Sequence, residues 1–425
     1  MDLKLIKSTL LSVSLVLASF TYTSAATSNI TQWDDGFDTS GNFSRLNRPS
    51  NSFDTNQSFG SNLTTVTNNS ITPLLSNSTI TAMNEAALKY SRIVASGGWP
   101  RITAELRRGM KAPQVIKLRQ RLYVEGDLAQ VSGEAQSFDY NVDQAVRRFQ
   151  ARHGLVVNGF VAADTLDALN VSAAKRLRQI KLNISRIKTA KSRLHKRSIV
   201  VNIPAMKVET VEDGHIVSRH NAVVGKIDRQ TPLVTSTLSQ VNFNPYWHVP
   251  VSIVRKDLVP KIISDPGYIK KTGMRIYSTW GGREIDPKDI DFTSKRALQY
   301  AYRQDPSRAN SLGQMKLNFP SPHAVFMHDT PGKSLFTRNF RAYSSGCIRI
   351  QNIRQVVDWV LNSDKAWSQG ETSKYLNNGE RKDVRVRSRV SVRMVYVTSW
   401  VTPAGTVHFR KDLYKKDGIG SLATK

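Results

Sequence analysis

One cysteine in 425 residues, Cys347, removes most of what thiols do in proteins. No internal disulfide can form and no thiolate cluster can hold zinc, so the thiol is either buried and inert or used in chemistry. Acidic residues are scarce as well: 33 Asp and Glu stand against 61 Lys and Arg, for a net charge of +28. That surplus calls for a polyanionic partner or surface, whether nucleic acid, an anionic cell envelope or a substrate rich in carboxylates. The basic residues are spread along the chain and no nucleic-acid motif accompanies them, so nucleic acid is not expected as the partner. Long apolar runs are missing too. The apolar stretch at residues 10–20 is short for a membrane span, which takes roughly 20 residues, and no other segment is long and apolar enough. No spacing among the eight histidines resembles a zinc set, and neither a metal nor a cofactor is expected.

What is present is divided into blocks. Lys4 and Lys7 precede an apolar stretch from Leu10 to Phe20, and small residues follow at Thr23, Ser24, Ala25 and Ala26. This reads as a secretory signal peptide over 1–25 and an exported protein. Residues 26–82 are dominated by Ser, Thr and Asn and read as a disordered spacer. A helical region over 83–172 follows, with a compact module at about 106–171. There Val115, Leu118 and Leu122, then Ala145, Val146 and Phe149, fall on single faces at helical spacing. Asp164 or Thr165 would cap its third helix. Residues 173–197, rich in Lys and Arg, read as a connecting helix. From Ser198 the period changes to two, with a hairpin turning at Glu212–Gly214. A β-rich domain is expected over 198–375, interrupted by a polar, basic insertion at about 253–318, and residues 376–425 supply its last strands. The fold class is α+β and multidomain.

The stretch from His323 to Asn352, HAVFMHDTPGKSLFTRNFRAYSSGCIRIQN, carries the candidate chemistry. His328 ends a strand-like run 19 residues before Cys347, and an imidazole is the usual base for a cysteine nucleophile. The small residues Ser344, Ser345 and Gly346 allow a turn in which the amides of Gly346 and Cys347 point at one spot, as an oxyanion hole requires. Ile353, Val356, Val357, Val360 and Leu361 predict a helix capped by Asn352, whose N-terminus would favour a thiolate nearby. Arg349 adds a cation two residues from the sulfur. On spacing alone, His153, His195, His215, His220, His248, His323 and His408 remain rivals for the base. Papain-like and NlpC-type peptidases place cysteine before histidine, the reverse of the order here.

HDTP…SSGCIR resembles the active-site signature of L,D-transpeptidases with a YkuD-type catalytic domain. VNIPAM (Val201–Met206), VVGKIDRQTP (Val223–Pro232), NPYWHVPVSI (Asn244–Ile253) and RQDPSRANSLGQMKLNFP (Arg303–Pro320) are similar to a YcbB-like Gram-negative subgroup. The resemblance implies Cys347 as nucleophile, His328 as proton acceptor and donor, and the main-chain carbonyl of Asp329 as third partner. Ser345 stands where many members have histidine. Tyr246 and Trp247 could line the base of a lid formed by the insertion, and Arg349 could orient a stem carboxylate or brace the turn. VIKLRQRLYVEGDL and AVRRFQARHGLVVNGFVAADTLDALN resemble a three-helix peptidoglycan-binding domain. The implied substrates are peptidoglycan stem peptides, a donor tetrapeptide and an acceptor stem, joined by 3–3 cross-links through a cysteine thioester in the periplasm. The protein would be peripheral to wall or membrane and a target of carbapenems. L,D-carboxypeptidase action, D-amino-acid exchange and a non-catalytic wall-binding role are the alternatives.

Overall fold

The computed structural model describes residues 72–418 except 132, 193 and 364–366. The expected signal peptide and the spacer up to residue 71 lie outside the described residues. The end of the spacer is misplaced by the sequence reading. Leu74 and Leu75 are buried, and helix α1 (Asn77–Ala95) begins before Met83, with the Ser76 hydroxyl accepting from the Thr79 amide at 3.0 Å. Two apolar side chains at the end of a polar tract are buried there, each favouring the folded position.

The helical module comprises α2 (Pro113–Glu125), α3 (Tyr140–His153) and α4 (Ala163–Leu169). Val115, Leu118, Leu122, Ala145, Val146, Phe149 and Leu169 form its core, the faces that helical spacing predicted. Each fully buried aliphatic or aromatic side chain contributes about 1.5–3 kcal/mol. The Ncap of α4 is Ala162, without a side-chain bond, so neither Asp164 nor Thr165 caps it. Gln150 is a staple. Its amide donates to the Phe160 carbonyl at 2.8 Å, and its oxygen accepts from the Asn158 and Gly159 amides. Buried polar groups need such partners, which accounts for the Phe149–Gln150 pair and the GLVVNG loop in structural terms. Helix α5 (Ala173–Lys191) lays Ile180 and Ile184 against Met83 and Tyr90 of α1.

The β domain is built from β1 (Arg197–Asn202), β2 (Lys207–Glu212), β3 (His215–Gly225), β4 (Val234–Thr237) and β5 (Gln240–Phe243), with further strands added after an insertion. Within the insertion, β6 (Trp247–His248), β7 (Met274–Tyr277) and β8 (Ala301–Gln304) make a separate three-stranded sheet, order β6-β8-β7. Helices α6 (Val251–Ile253), α7 (Val259–Ser264) and α8 (Tyr268–Thr272) pack on it around Val254, Ile262, Ile276 and Tyr302. The insertion therefore starts before Ile253 and ends before Asn318, because β9 (Met315–Asn318) returns to the main sheet between β5 and β10 (Met327–His328). Strands β11 (Ala342–Ser344) and β12 (Ile348–Ile350) and helices α9 (Ile353–Leu361) and α10 (Gln369–Asn378) follow, then β13 (Lys382–Arg385) and β14 (Val390–Val395). The main order is β13-β5-β9-β10-β12-β3-β2-β1-β14-β4. The apolar face of α9 covers Met315, Leu317, Met327, Ile348 and Ile350.

The C-terminal strands divide. β14 lies parallel beside β1 within the main sheet, whereas β15 (Ser399–Val401) and β16 (Val407–Phe409) form a ribbon of their own. Phe409 of that ribbon stacks on His153 of α3 at 5.4 Å and joins the α1–α5 core. The helical module is thereby fixed to the rest by packing, reinforced where Arg152 Nη1 donates to the Val407 carbonyl at 3.3 Å and Arg410 Nη1 to the Arg152 carbonyl at 2.9 Å, while Arg152 also pairs with Asp127 and Glu125 inside the module. Burial opposes the charge on Glu125, yet Arg121 and Arg152 hold its carboxyl well below the usual range.

Candidate active site

Strand register gathers the site. Asp383, Asn242, Lys316, His328 and Arg349 occupy one row across β13, β5, β9, β10 and β12, each opposite the next. Residues opposite one another project from the same face, so this is a polar row on the side away from α9. Met327, Leu317 and Ile348, one residue out of step, point into the core. Cys347 precedes Arg349 by two and so shares its face. The Ile348 amide donates to the Phe326 carbonyl at 3.1 Å, which puts Cys347 beside Phe326 and diagonal to His328. Strand geometry sets their Cα atoms roughly 8 Å apart.

His328 is buried, and its Nδ1 lies 2.5 Å from the Asp329 carbonyl, the atom the resemblance named. Burial and then Arg349 push its pKa down to about 3, against the pull of the Asp329 carbonyl. The imidazole is therefore neutral. Burial also pushes the Cys347 thiol up, opposed by the Phe326 amide, Lys316 and Arg349. The resting pair is a neutral thiol and a neutral imidazole, with no hydrogen bond between them among the described residues. The helix expected to stabilise a thiolate is too far off. α9 begins only after β12, six residues beyond the sulfur, and Asn352 adopts φ +48° without a side-chain cap bond. At about 3.3 Å per strand residue, its N-terminus stands well outside the first-turn range of the helix dipole.

The turn before the sulfur is tightly tied. Ser344 Oγ donates to the Cys347 carbonyl at 2.5 Å and accepts from the Gly346 amide at 3.2 Å. Thr231 Oγ1 donates to the Gly346 carbonyl at 2.9 Å and accepts from the Gly225 amide at 2.9 Å. Gly346 has φ +116°, which only glycine adopts readily. The Gly346 amide is thus engaged inside the turn, and the expected two-amide hole is not open on that side. Ser345 is exposed and accepts a 2.9 Å bond from Arg229 Nη1. The Asp329 carboxylate is occupied elsewhere: it pairs with Lys333, accepts from the Gln314 amide at 3.2 Å, and fills the space a Cβ on Gly313 would take. Trp247 packs into the core of the insertion, and Tyr246 lies under the Arg303 guanidinium at 4.5 Å. Both therefore stand against the insertion, at its start. Arg349 faces the sulfur, and its Nε has no hydrogen-bond partner.

Two residues escaped the sequence reading. Lys316 stands opposite His328, holds its ammonium 4.1 Å from the Phe326 ring centroid and acts electrostatically on Cys347. Its alternation in Met315–Lys316–Leu317 was the available signal, obscured by assigning β9 to the insertion. Arg229 was quoted within VVGKIDRQTP but given no role. A cavity of about 1160 Å³ opens beside Asp329, walled by Gln314, Lys333, Arg354 and Asn377, and Cys347 and His328 are not in its wall.

The protonation states lead to a test independent of any substrate. A thiolate–imidazolium pair would alkylate rapidly near pH 6. Here the cysteine pKa is raised, so iodoacetamide labelling of Cys347 should be slow at pH 6–7 and climb with a midpoint above the ordinary cysteine value. A fast, pH-independent reaction from pH 5 upward would contradict this.

Residues 196–388 match the family described as the YkuD L,D-transpeptidase catalytic domain, and residues 111–169 the one described as "Putative peptidoglycan binding domain". A Haemophilus influenzae protein named "Putative L,D-transpeptidase" is 34% identical over 226 residues, which is 53% of this chain and 45% of that protein. The chain thus spans about half the length of the curated relative it matches. Among solved structures, an L,D-transpeptidase from Xylanimonas cellulosilytica aligns with 69% of this chain and 99% of its own, at 16% identity and a TM-score of 0.22. One from Mycobacterium smegmatis covers 47% and 58%, also at 16% identity and 0.22.

Proposed function

Because residues 196–388 belong to the L,D-transpeptidase catalytic domain family and residues 111–169 to a peptidoglycan-binding one, we propose that this protein cross-links peptidoglycan stems through a thioester on Cys347. The observation that carries the proposal is the placement of Cys347, His328, Lys316 and Arg349 on one face of the sheet, with the imidazole fixed by the Asp329 carbonyl.

Sγ attacks the carbonyl joining the diamino acid at position three of a donor stem to its terminal D-alanine. His328, neutral at rest, takes the thiol proton as the S–C bond forms and delivers it to the amine as the C–N bond breaks. The ring and the sulfur close on each other when the donor is bound, since catalytic hydrogen bonds commonly tighten only in the complex. The Cys347 amide stabilises the oxyanion, and Arg349 and Lys316 stabilise negative charge developing on sulfur. The side-chain amine of a second stem then attacks the thioester. It gives its proton to His328, which returns it to the departing sulfur, and a 3–3 cross-link results. The excess of positive charge draws a carboxylate-rich polymer, and the helical module holds the enzyme on it. Export to the periplasm and acylation by carbapenems belong to the same proposal.

Incubating the purified protein with disaccharide tetrapeptide and analysing products by mass spectrometry tests it. A dimer lacking one D-alanine is expected. Tripeptide alone would assign a carboxypeptidase, and incorporation of an added D-amino acid alone an exchange enzyme.

A further inference from the structure

A cation held on a loop beside the nucleophile already grips a carboxylate. Arg229 lies in the segment joining β3 to β4, and its Nη1 donates to Ser345 Oγ at 2.9 Å, two residues before Cys347. Its Nε pairs with its neighbour Asp228 at 3.4 Å, and its two terminal nitrogens grip Asp257: Nη2 donates to Oδ1 at 2.9 Å, and Nη1 to Oδ2, a two-pronged pair. The loop is rigid. Thr231 ties it to the Gly346 carbonyl, and Tyr414 closes its base by donating to the Gly225 carbonyl at 2.6 Å. A side chain on Gly225 would meet the Arg229 carbonyl at 2.1 Å, so the loop folds back on its own start too closely for any residue but glycine there.

Asp257 comes from the insertion. It sits in a π-helical turn, Val254–Leu258, between α6 and α7. Such turns are poor in regular hydrogen bonding and recur at functional positions. Lys316 and Arg349 act on the thiol from the sheet, whereas Arg229 reaches the nucleophile turn through Ser345 and holds Asp257 by both terminal nitrogens. Planar guanidinium forks are suited to this geometry, which an ammonium cannot reproduce.

The reading of function, on which this inference rests, gives the donor one carboxylate close to the scissile bond: the free α-carboxylate of the residue that leaves. It is two bonds from the nitrogen that departs. We propose that Arg229 receives this α-carboxylate and that Asp257 occupies the place until the donor displaces it. Exchange of one carboxylate for another leaves the guanidinium paired throughout. Release of Asp257 simultaneously frees the insertion from the nucleophile turn. Arg229 is thus a specificity residue for donors with an unblocked C-terminus.

Thioester formation should be followed with a tetrapeptide donor and with its C-terminal amide, for wild type, Arg229→Lys, Arg229→Gln and Asp257→Asn, with thermal melting to verify folding. Arg229→Gln should raise KM for the free acid about 10- to 100-fold, the range for hydrogen bonds to a charged group, while shifting the amide far less. Arg229→Lys should fall between. Asp257→Asn should lower KM for the acid, because the internal competitor is gone. Equal losses on acid and amide in Arg229→Gln, or a raised KM for the acid in Asp257→Asn, would overturn the inference while leaving the function intact. A wild type forming no thioester with either donor would sink both.

Discussion

Replacing Cys347 with alanine should abolish acyl transfer, lowering turnover of stem peptides by at least about 10⁴-fold, as removal of a nucleophile does when the remaining groups act only through it. The melting temperature should barely change, because the side chain is half-buried at the edge of the core and its loss removes little apolar surface. No other thiol exists in the chain to take over. Serine is a sharper test. Among the described residues the neutral imidazole has backbone partners at Asp329 and Leu312 and no carboxylate, so it is a weak base for a hydroxyl. Cys347→Ser should therefore be nearly as inactive as alanine. Product analysis on matched protein concentrations checks both, and a serine variant retaining a tenth of wild-type turnover would contradict the role given to sulfur.

The second large effect is expected at His328. Asparagine there keeps a polar side chain in a buried position but cannot shuttle a proton, and both half-reactions should slow by about 10²- to 10⁴-fold. Thiol ionisation should respond differently. Its direction is set first by burial and then by the Phe326 amide, Lys316 and Arg349, with no contribution from the imidazole. Iodoacetamide labelling at alkaline pH should then be close to wild type in His328→Asn while peptide acylation collapses. If labelling and acylation fall together, the histidine is holding the thiol in place and not moving protons.

The chemistry was legible where the chain compresses it. His328, Asp329, Gly346 and Cys347 fall within 20 residues, and a two-strand parallel pairing of β10 with β12 is all that is needed to bring them together. Lys316 was not legible, because its place opposite His328 depends on β9 being antiparallel to β10, and that register is decided by core packing of Met315 and Leu317. Arg229 meets Ser345 across 116 residues, and only the folded loop brings them together. Helix α9 was legible from its spacing, starting at Ile353 behind Asn352, but its distance from the sulfur was not. The structure makes Ile348–Ile350 a strand, since both isoleucines are needed in the core under α9. The helical module was the easier reading, its apolar spacing surviving intact into the packed faces of α2 and α3. The C-terminal strands looked like one group because their alternation is similar. A tight crossing at Tyr396–Thr398 instead sends β14 into the main sheet and β15 to the helices, with Asn183 accepting from the Thr398 amide at 2.9 Å.

The most direct measurement is the intact mass of protein quenched in acid seconds after mixing with a donor tetrapeptide. Wild type should gain the mass of one acylated tripeptide with release of one D-alanine, the adduct should map to Cys347, and Cys347→Ala should gain nothing. A wild type that turns the donor over without ever carrying that mass, or an adduct that persists in Cys347→Ala, would contradict covalent catalysis at this sulfur.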